Sequence, residues 1–203
     1  MPRRIRRFFT HFSSITDTPF GWWLLETFIL LGDIAGAGEI YDIAGAWIKW
    51  NTRALTPAEV ALAKNIFGTQ LPYHRIRLDE RAYLGPKQKH ICYVSFCTIN
   101  SWGPMTPHIF LHELTHIWQY LQMGAVYIPR ALRAQRTKEG YNYGGVAALK
   151  HNDCLLDHFN LEQQADIIAD YYLLQQGKRP QWGDGNAFDL PHYHRLLEKL
   201  GKA

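Results

Sequence analysis

The sequence predicts an α+β domain, mostly helical with a small sheet, over residues 52–203, preceded by an apolar helical segment over residues 1–51. Three observations carry this expectation. Apolar residues recur at helical spacing through residues 107–123 and 160–174. Two short runs, residues 75–80 and 90–98, are rich in β-branched and aromatic side chains and read as strands. The composition is that of a packed protein: 203 residues, 47% apolar and 14% aromatic, which excludes a disordered chain and suffices for a buried core.

Taken in order, the first fifty residues open on Arg3, Arg4, Arg6 and Arg7, which account for the whole net charge of +4. The remainder is balanced, so nothing calls for a nucleic-acid surface. An apolar run over residues 19–31 follows, then two near-copies, Asp-Ile-Ala-Gly-Ala at 33–37 and at 42–46. A secretory signal would be interrupted by Glu26, and a membrane-spanning helix over 19–38 would bury both Glu26 and Asp33. A helical hairpin or membrane-associating segment across 19–50 keeps those acids on a polar side, and is the expectation here. Such a segment packs on the following domain or meets lipid, a chaperone or a delivery protein.

Thr56-Pro57-Ala58-Glu59 is a capping box opening a helix that ends near Gly68. After the two strands, the turn-rich stretch 100–104 leads to Thr106 as N-cap and Pro107 at the first helical position. That helix stops at Gly124. Arg130, Arg133, Arg136 and Lys138 form a second basic cluster, expected to be a solvated face. Asn160 and Gln163 make a further capping-box pattern at the start of the 160–174 helix. A loop over 177–191 and a closing helix over 192–200 complete the plan. Cys92, Cys97 and Cys154 are odd in number and do not make a disulfide framework; buried thiols are expected, compatible with synthesis in the cytoplasm.

The motif that carries chemistry is His112-Glu113-Leu114-Thr115-His116, an H-E-x-x-H inside the predicted 107–123 helix. Residues four apart share a helix face, so both imidazoles reach one metal ion, and Glu113 stands where it can take a proton from water. With ten His in 203 residues, an accidental match is expected only about 0.02 times. Catalytic zinc needs a third protein ligand and one open position. The metzincin extension is absent, because Gln119 and Gln122 stand where Gly and His belong. Glu162, early in the 160–174 helix, is the expected third ligand. Asp166, one turn later, would accept the second ring N–H of a ligand histidine.

His-Glu-Leu-Thr-His-Ile-Trp-Gln at 112–119 followed by Phe-Asn-Leu-Glu-Gln-Gln-Ala-Asp at 159–166 resembles the zincin-type metallopeptidase domains associated with bacterial type VI secretion. These occur fused to VgrG spike proteins or as VgrG- and Rhs-related proteins. The stretch 55–68 and the triplet Tyr141-Asn142-Tyr143 also resemble that family, so the likeness covers about residues 52–175. It implies a zincin-like fold with a gluzincin-like Zn2+ site of His112, His116 and Glu162, with Glu113 as catalytic base. It further implies an antibacterial effector made in the bacterial cytoplasm and exported by a type VI system. Such a toxin acts on a protein or peptide substrate in the periplasm or cytoplasm of a target cell. A VgrG- or Rhs-type delivery protein, a chaperone or an immunity protein would be its partner.

Hydrolysis of a peptide bond also needs a donor for the developing oxyanion, and Tyr141, Tyr143, His151 and His158 are the candidates by position. The strand before the active helix would pair with an extended substrate at the cleft edge. A second reading keeps the same scaffold without catalysis, as an adaptor or structural component of the secretion apparatus. A closed site with His108 or His158 as fourth ligand would mark it.

Overall fold

The computed structural model describes residues 3–12, 19–49, 51–89 and 91–200. Positions 1, 2, 13–18 and 50 of the N-terminal segment, position 90 of the expected second strand, and 201–203 lie outside the described residues. The architecture is α+β, helix-rich with one small sheet.

Helices α5 (Pro107–Met123) and α8 (Leu161–Gln175) are the central packed pair. Leu111, Leu114 and Ile117 of α5 meet Ile167, Ile168 and Leu174 of α8 in a core with essentially no solvent contact. Phe67 closes this core from α4 (Pro57–Phe67), and Tyr193 and Leu196 close it from α9 (Leu190–Leu200). Truncating any of these large side chains to alanine removes about 2–5 kcal/mol. Helices α6 (Tyr127–Gln135) and α7 (Gly145–His151) lie between α5 and α8 in sequence.

The four-stranded sheet has the order β1-β2-β4-β3. Its strands are β1 (Arg53–Ala54), β2 (Arg77–Asp79), β3 (Tyr93–Ser95) and β4 (Thr98–Asn100). β2 and β4 pair in parallel with Leu78 opposite Ile99, and both side chains enter the core. The run read as one strand over 90–98 is instead a hairpin. Phe96 takes a left-handed conformation with φ 54° and turns the chain, leaving β3 at the sheet edge. Its ring is held 5.0 Å from that of Tyr41 and 5.3 Å from that of Tyr120, packing that offsets the strained backbone. A π-helical turn over Tyr83–Lys87, absent from the sequence expectation, contains Pro86.

Both capping boxes form: Thr56 with Glu59, and Asn160 with Gln163. Thr106 has the extended backbone of an N-cap, but its side chain does not bond the helix, so α5 starts on Pro107 geometry alone. At the other end Gly124 has φ 80°, and a Cβ there would collide with the carboxylate of Asp33.

That collision marks how the N-terminal helices sit. α1 (Arg3–Phe12), α2 (Phe20–Ile34) and α3 (Ala37–Ile48) lie on the corner between α5 and α6. Every acid of the apolar segment is tied inward. Asp33 accepts from the Ala125 backbone at 2.7 Å, Glu39 pairs with Arg4, and Asp42 lies 3.6 Å from Arg75. Glu26, 1% exposed, takes two 2.7 Å bonds from the guanidinium of Arg130 and one of 2.8 Å from the Trp22 indole. The second basic cluster is therefore not simply solvated. Arg130 answers a buried acid, and Arg133 stacks 5.3 Å over Trp22.

Burial alone pushes the Glu26 carboxyl up, but the hydrogen bonds from Arg130 outweigh it and hold the group below the ordinary carboxylate value. A depressed folded pKa contributes stability that is complete above the unfolded value of about 4.3 and lost as pH falls through the folded value. Glu26→Gln is expected to cost about 2 kcal/mol at neutral pH, less than for a fully buried pair because Arg130 is half exposed. Thermal melts should show wild type and variant well separated at about pH 7 and drawing together as pH falls below about 4.3. Parallel curves would show that this carboxylate does not anchor the segment.

Candidate metal centre

Helical geometry sets the first two groups. His112 and His116 project from one face of α5 with their Nε2 atoms 3.2 Å apart. α8 brings the third: Glu162 Oε2 lies 3.4 Å from each of those nitrogens. The result is a nearly equilateral triangle. Ligands about 2.0–2.1 Å from a tetrahedral zinc stand about 3.3–3.4 Å apart, so the spacing fits one face of such a site. Glu162 Oε2 is buried and lacks a hydrogen-bond partner, a costly state for a carboxylate unless a cation faces it. Among the described residues, this trio is the cluster of metal-ligating side chains that converges on a point.

The atoms turned away from the triangle are all held. His112 Nδ1–H donates to Asp166 Oδ1 at 2.7 Å, and Asp166 Oδ2 accepts from the Trp182 indole at 2.6 Å. His116 Nδ1–H donates to Gln119 Oε1 at 2.8 Å. The Gln119 amide in turn donates to Leu161 O and to Gln164 Oε1, at 2.9 and 3.0 Å. Glu162 Oε1 accepts from Gln135 at 2.9 Å. Both rings are thereby oriented with Nδ1 as the donor to its partner and Nε2 turned to the centre, the orientation a metal needs.

The electrostatics favour positive charge at the centre. Burial would lower the His112 pKa, but the hydrogen bond to Asp166 and the facing carboxylate of Glu162 raise it to about 10. Burial would raise Glu162, yet the two imidazoles hold it at about 2. Glu113 stands beside the triangle, 5% exposed, and burial pushes its carboxyl above the ordinary value despite His112 and His116. Its Oε2 also lacks a hydrogen-bond partner.

Above the triangle is a cavity of about 100 Å³, lined by Cys92, Val94, Tyr127, Leu132 and Tyr141 besides the cluster itself. It has room for several waters. Of the four expected oxyanion donors, only Tyr141 is here, its ring 6.1 Å from that of His112. Tyr143 is instead buried in a separate network. It donates to Asp170 at 2.7 Å and lies 2.6 Å from the Tyr193 hydroxyl. His151 and His158 are exposed and do not line the cavity. His108, half-buried one turn before His112, is outside the triangle. Cys92 is not a buried core thiol but a half-buried cavity wall, its pKa pushed up to about 11 by burial.

The edge strand is also less open than the sequence suggests. The Val94 carbonyl, central in β3, already accepts from the Tyr127 hydroxyl at 2.9 Å. An extended peptide cannot use that acceptor while Tyr127 holds it.

Several site residues escaped sequence reading. Gln119 was excluded as a ligand, but its position three residues after His116 puts it on the same face, where it orients that ring. Trp182 and Gln135 carried no local signal, because their partners lie in other elements. Trp182→Phe should leave Asp166 free to swing and weaken zinc binding severalfold. Asp166→Asn, which removes the charged acceptor, should weaken it about 10–100-fold. Zinc titration of the purified variants checks both, and unchanged affinity in Asp166→Asn would show that the His112 ring is held by other means.

No protein-family model matches the chain. A segment of 148 residues, 66% of the chain, is 29% identical to the type VI secretion system spike protein VgrG2b of Pseudomonas aeruginosa. It spans only 14% of that relative's length. Among solved structures, the effector domain of Pseudomonas aeruginosa VgrG2b is similar at 23% identity and a TM-score of 0.46, covering 85% of this chain and 98% of that one.

Proposed function

We propose that this chain is a zinc-dependent peptidase of zincin type, carried by a type VI secretion system as an effector. The observation that carries the activity is the triangle of His112 Nε2, His116 Nε2 and Glu162 Oε2, with the orphaned carboxylate of Glu113 beside it. The sequence likeness to part of a type VI spike protein supports the route of delivery. A VgrG-type protein is the delivery partner that this likeness suggests.

The chemistry follows from the residues. His112, His116 and Glu162 would hold the zinc, which when bound would supply acidification of a water molecule and polarisation of a substrate carbonyl. Glu113, buried beside the triangle, would receive the proton of the attacking water and pass it on to the leaving amine. The Tyr141 hydroxyl, kept protonated because burial raises its pKa, is the donor placed to stabilise the developing oxyanion. Asp166 and Gln119 hold the two rings in register throughout. His108 and His158 stay out of the cluster, which leaves a position open for substrate as an enzyme requires and an adaptor does not.

The test compares wild type with Glu113→Gln and Glu162→Ala. Wild type should bind about one zinc per chain and cleave unfolded protein or a peptide library. Glu113→Gln should keep the zinc and lose cleavage by at least about 10²-fold. Glu162→Ala should lose zinc affinity. In the periplasm or cytoplasm of a bacterial host, wild type should be toxic and Glu113→Gln harmless. Zinc binding indifferent to Glu162, or equal toxicity of wild type and Glu113→Gln, would overturn the reading.

A further inference from the structure

We infer that the outer face of α2 and α3, flanked by α1, is a docking surface for an anionic phospholipid bilayer. Among the described residues from 20 to 48, every exposed one is glycine, alanine, aliphatic or aromatic. Among the large apolar side chains of this stretch the greatest exposures are Trp47 at 85%, Ile48 at 74%, Phe20 at 67% and Ile40 at 64%. Phe20, Leu24, Phe28 and Leu31 recur at helical spacing as one stripe on α2, and Ile40, Ile43 and Trp47 form another on α3. Single exposed apolar residues are ordinary, but two adjacent helices whose part-exposed acids, Glu39 and Asp42, already face Arg4 and Arg75 are not.

The charges of this segment are all engaged on its other side. Glu26 meets Arg130, Asp33 meets the Ala125 backbone, Glu39 meets Arg4 and Asp42 faces Arg75. The segment thus has one face committed to its own domain and one that is purely apolar. α1 packs on α2 and adds the complementary charge. Its Arg3 and Arg6 are exposed, as are Phe9 at 61% and Phe12 at 44%. A basic helix with exposed aromatics beside an apolar stripe is the arrangement that lies in an anionic interface.

Other geometries fit less well. No single helix among the described residues is long and apolar enough to cross a membrane, and α2 and α3 are bent by 65° at their junction. α2 has 15 residues, about 22 Å of helix against about 30 Å of hydrocarbon. Spanning would also strip Glu26 and Asp33 of their partners. A protein partner would normally find about one hydrogen bond per 100–200 Å². This face offers almost none beyond the Tyr41 hydroxyl and the Trp47 indole, whose amphipathic ring suits the headgroup level.

The test is sedimentation of the full chain with phosphatidylcholine vesicles and with vesicles containing roughly 30% phosphatidylglycerol, at low and high salt. The chain is expected to bind the anionic vesicles at low salt and to be weakened by added salt. Phe28→Ser with Ile43→Ser and Trp47→Ser, all at exposed positions, should lower partitioning at least about tenfold without changing the melting temperature. Arg3→Gln with Arg6→Gln should lower it about fivefold for each charge removed. No binding to either vesicle, or binding that both variants leave unchanged, would overturn the inference. So would equal binding to neutral and anionic vesicles. Light scattering provides the remaining arm: a stable dimer dispersed by the serine variant, with no vesicle binding, would assign the face to a second copy of the chain.

Discussion

Two imidazole nitrogens and a carboxylate oxygen held within 3.4 Å of one another, under cover from water, form the constraint around which this domain is arranged. Such a cluster is tolerable only if every other polar atom on those three side chains is bound. The binding partners then need partners in turn. Asp166 is shared between His112 and Trp182, and the Gln181 and Trp182 backbone amides are taken by Asp170. Gln164 accepts from Gln119 and donates to the carbonyls of Leu156 and Phe159. The Asn160 cap reaches back to Gly140, and Gln163 reaches Asn142. The loops before and after α8 therefore have their conformations set by obligations that begin at the ligand triangle.

The N-terminal helices obey the same rule with a different result. Here the acids lie in an otherwise apolar segment; Glu26, Asp33 and Asp42 are answered by an arginine or a backbone amide of the body, and Glu39 by Arg4 of α1. The duplicated Asp-Ile-Ala-Gly-Ala stretch supplies two of these anchors, Asp33 and Asp42, one toward the α5–α6 corner and one toward the sheet side. α6 serves both regions at once. Arg130 holds α2, while Ile128, Ala131, Leu132 and Gln135 line the cavity. Whatever shifts α2 relative to the body is therefore transmitted to the cavity wall through one helix.

Sequence pattern reached furthest where the signal was local. The α5 ligand pair, the two capping boxes and the stop at Gly124 all depend on residues within one or two turns of each other. Glu162 and Asp166 could be named because their face is set by the period of α8. The failures have a common cause. Whether Tyr143 or Tyr141 faces the centre depends on which one Asp170 captures, a contact 27 residues away. The hairpin at Phe96 was hidden because a β-rich run looks the same with or without a turn when no Gly or Asn marks it. The pairing of Glu26 with Arg130 joins residues 104 apart, beyond any periodic signal.

The bond from Tyr127 to the Val94 carbonyl has a consequence outside the cavity. β1 is one edge of the sheet and β3 the other, and an edge carbonyl row is a template for another chain to add a strand. This edge is three residues long, and its central outward acceptor is already satisfied within the fold. Folded copies at high local concentration are thus denied the register from which edge-to-edge aggregation would grow. The hydroxyl of one tyrosine acts as colloidal protection for this edge of the sheet.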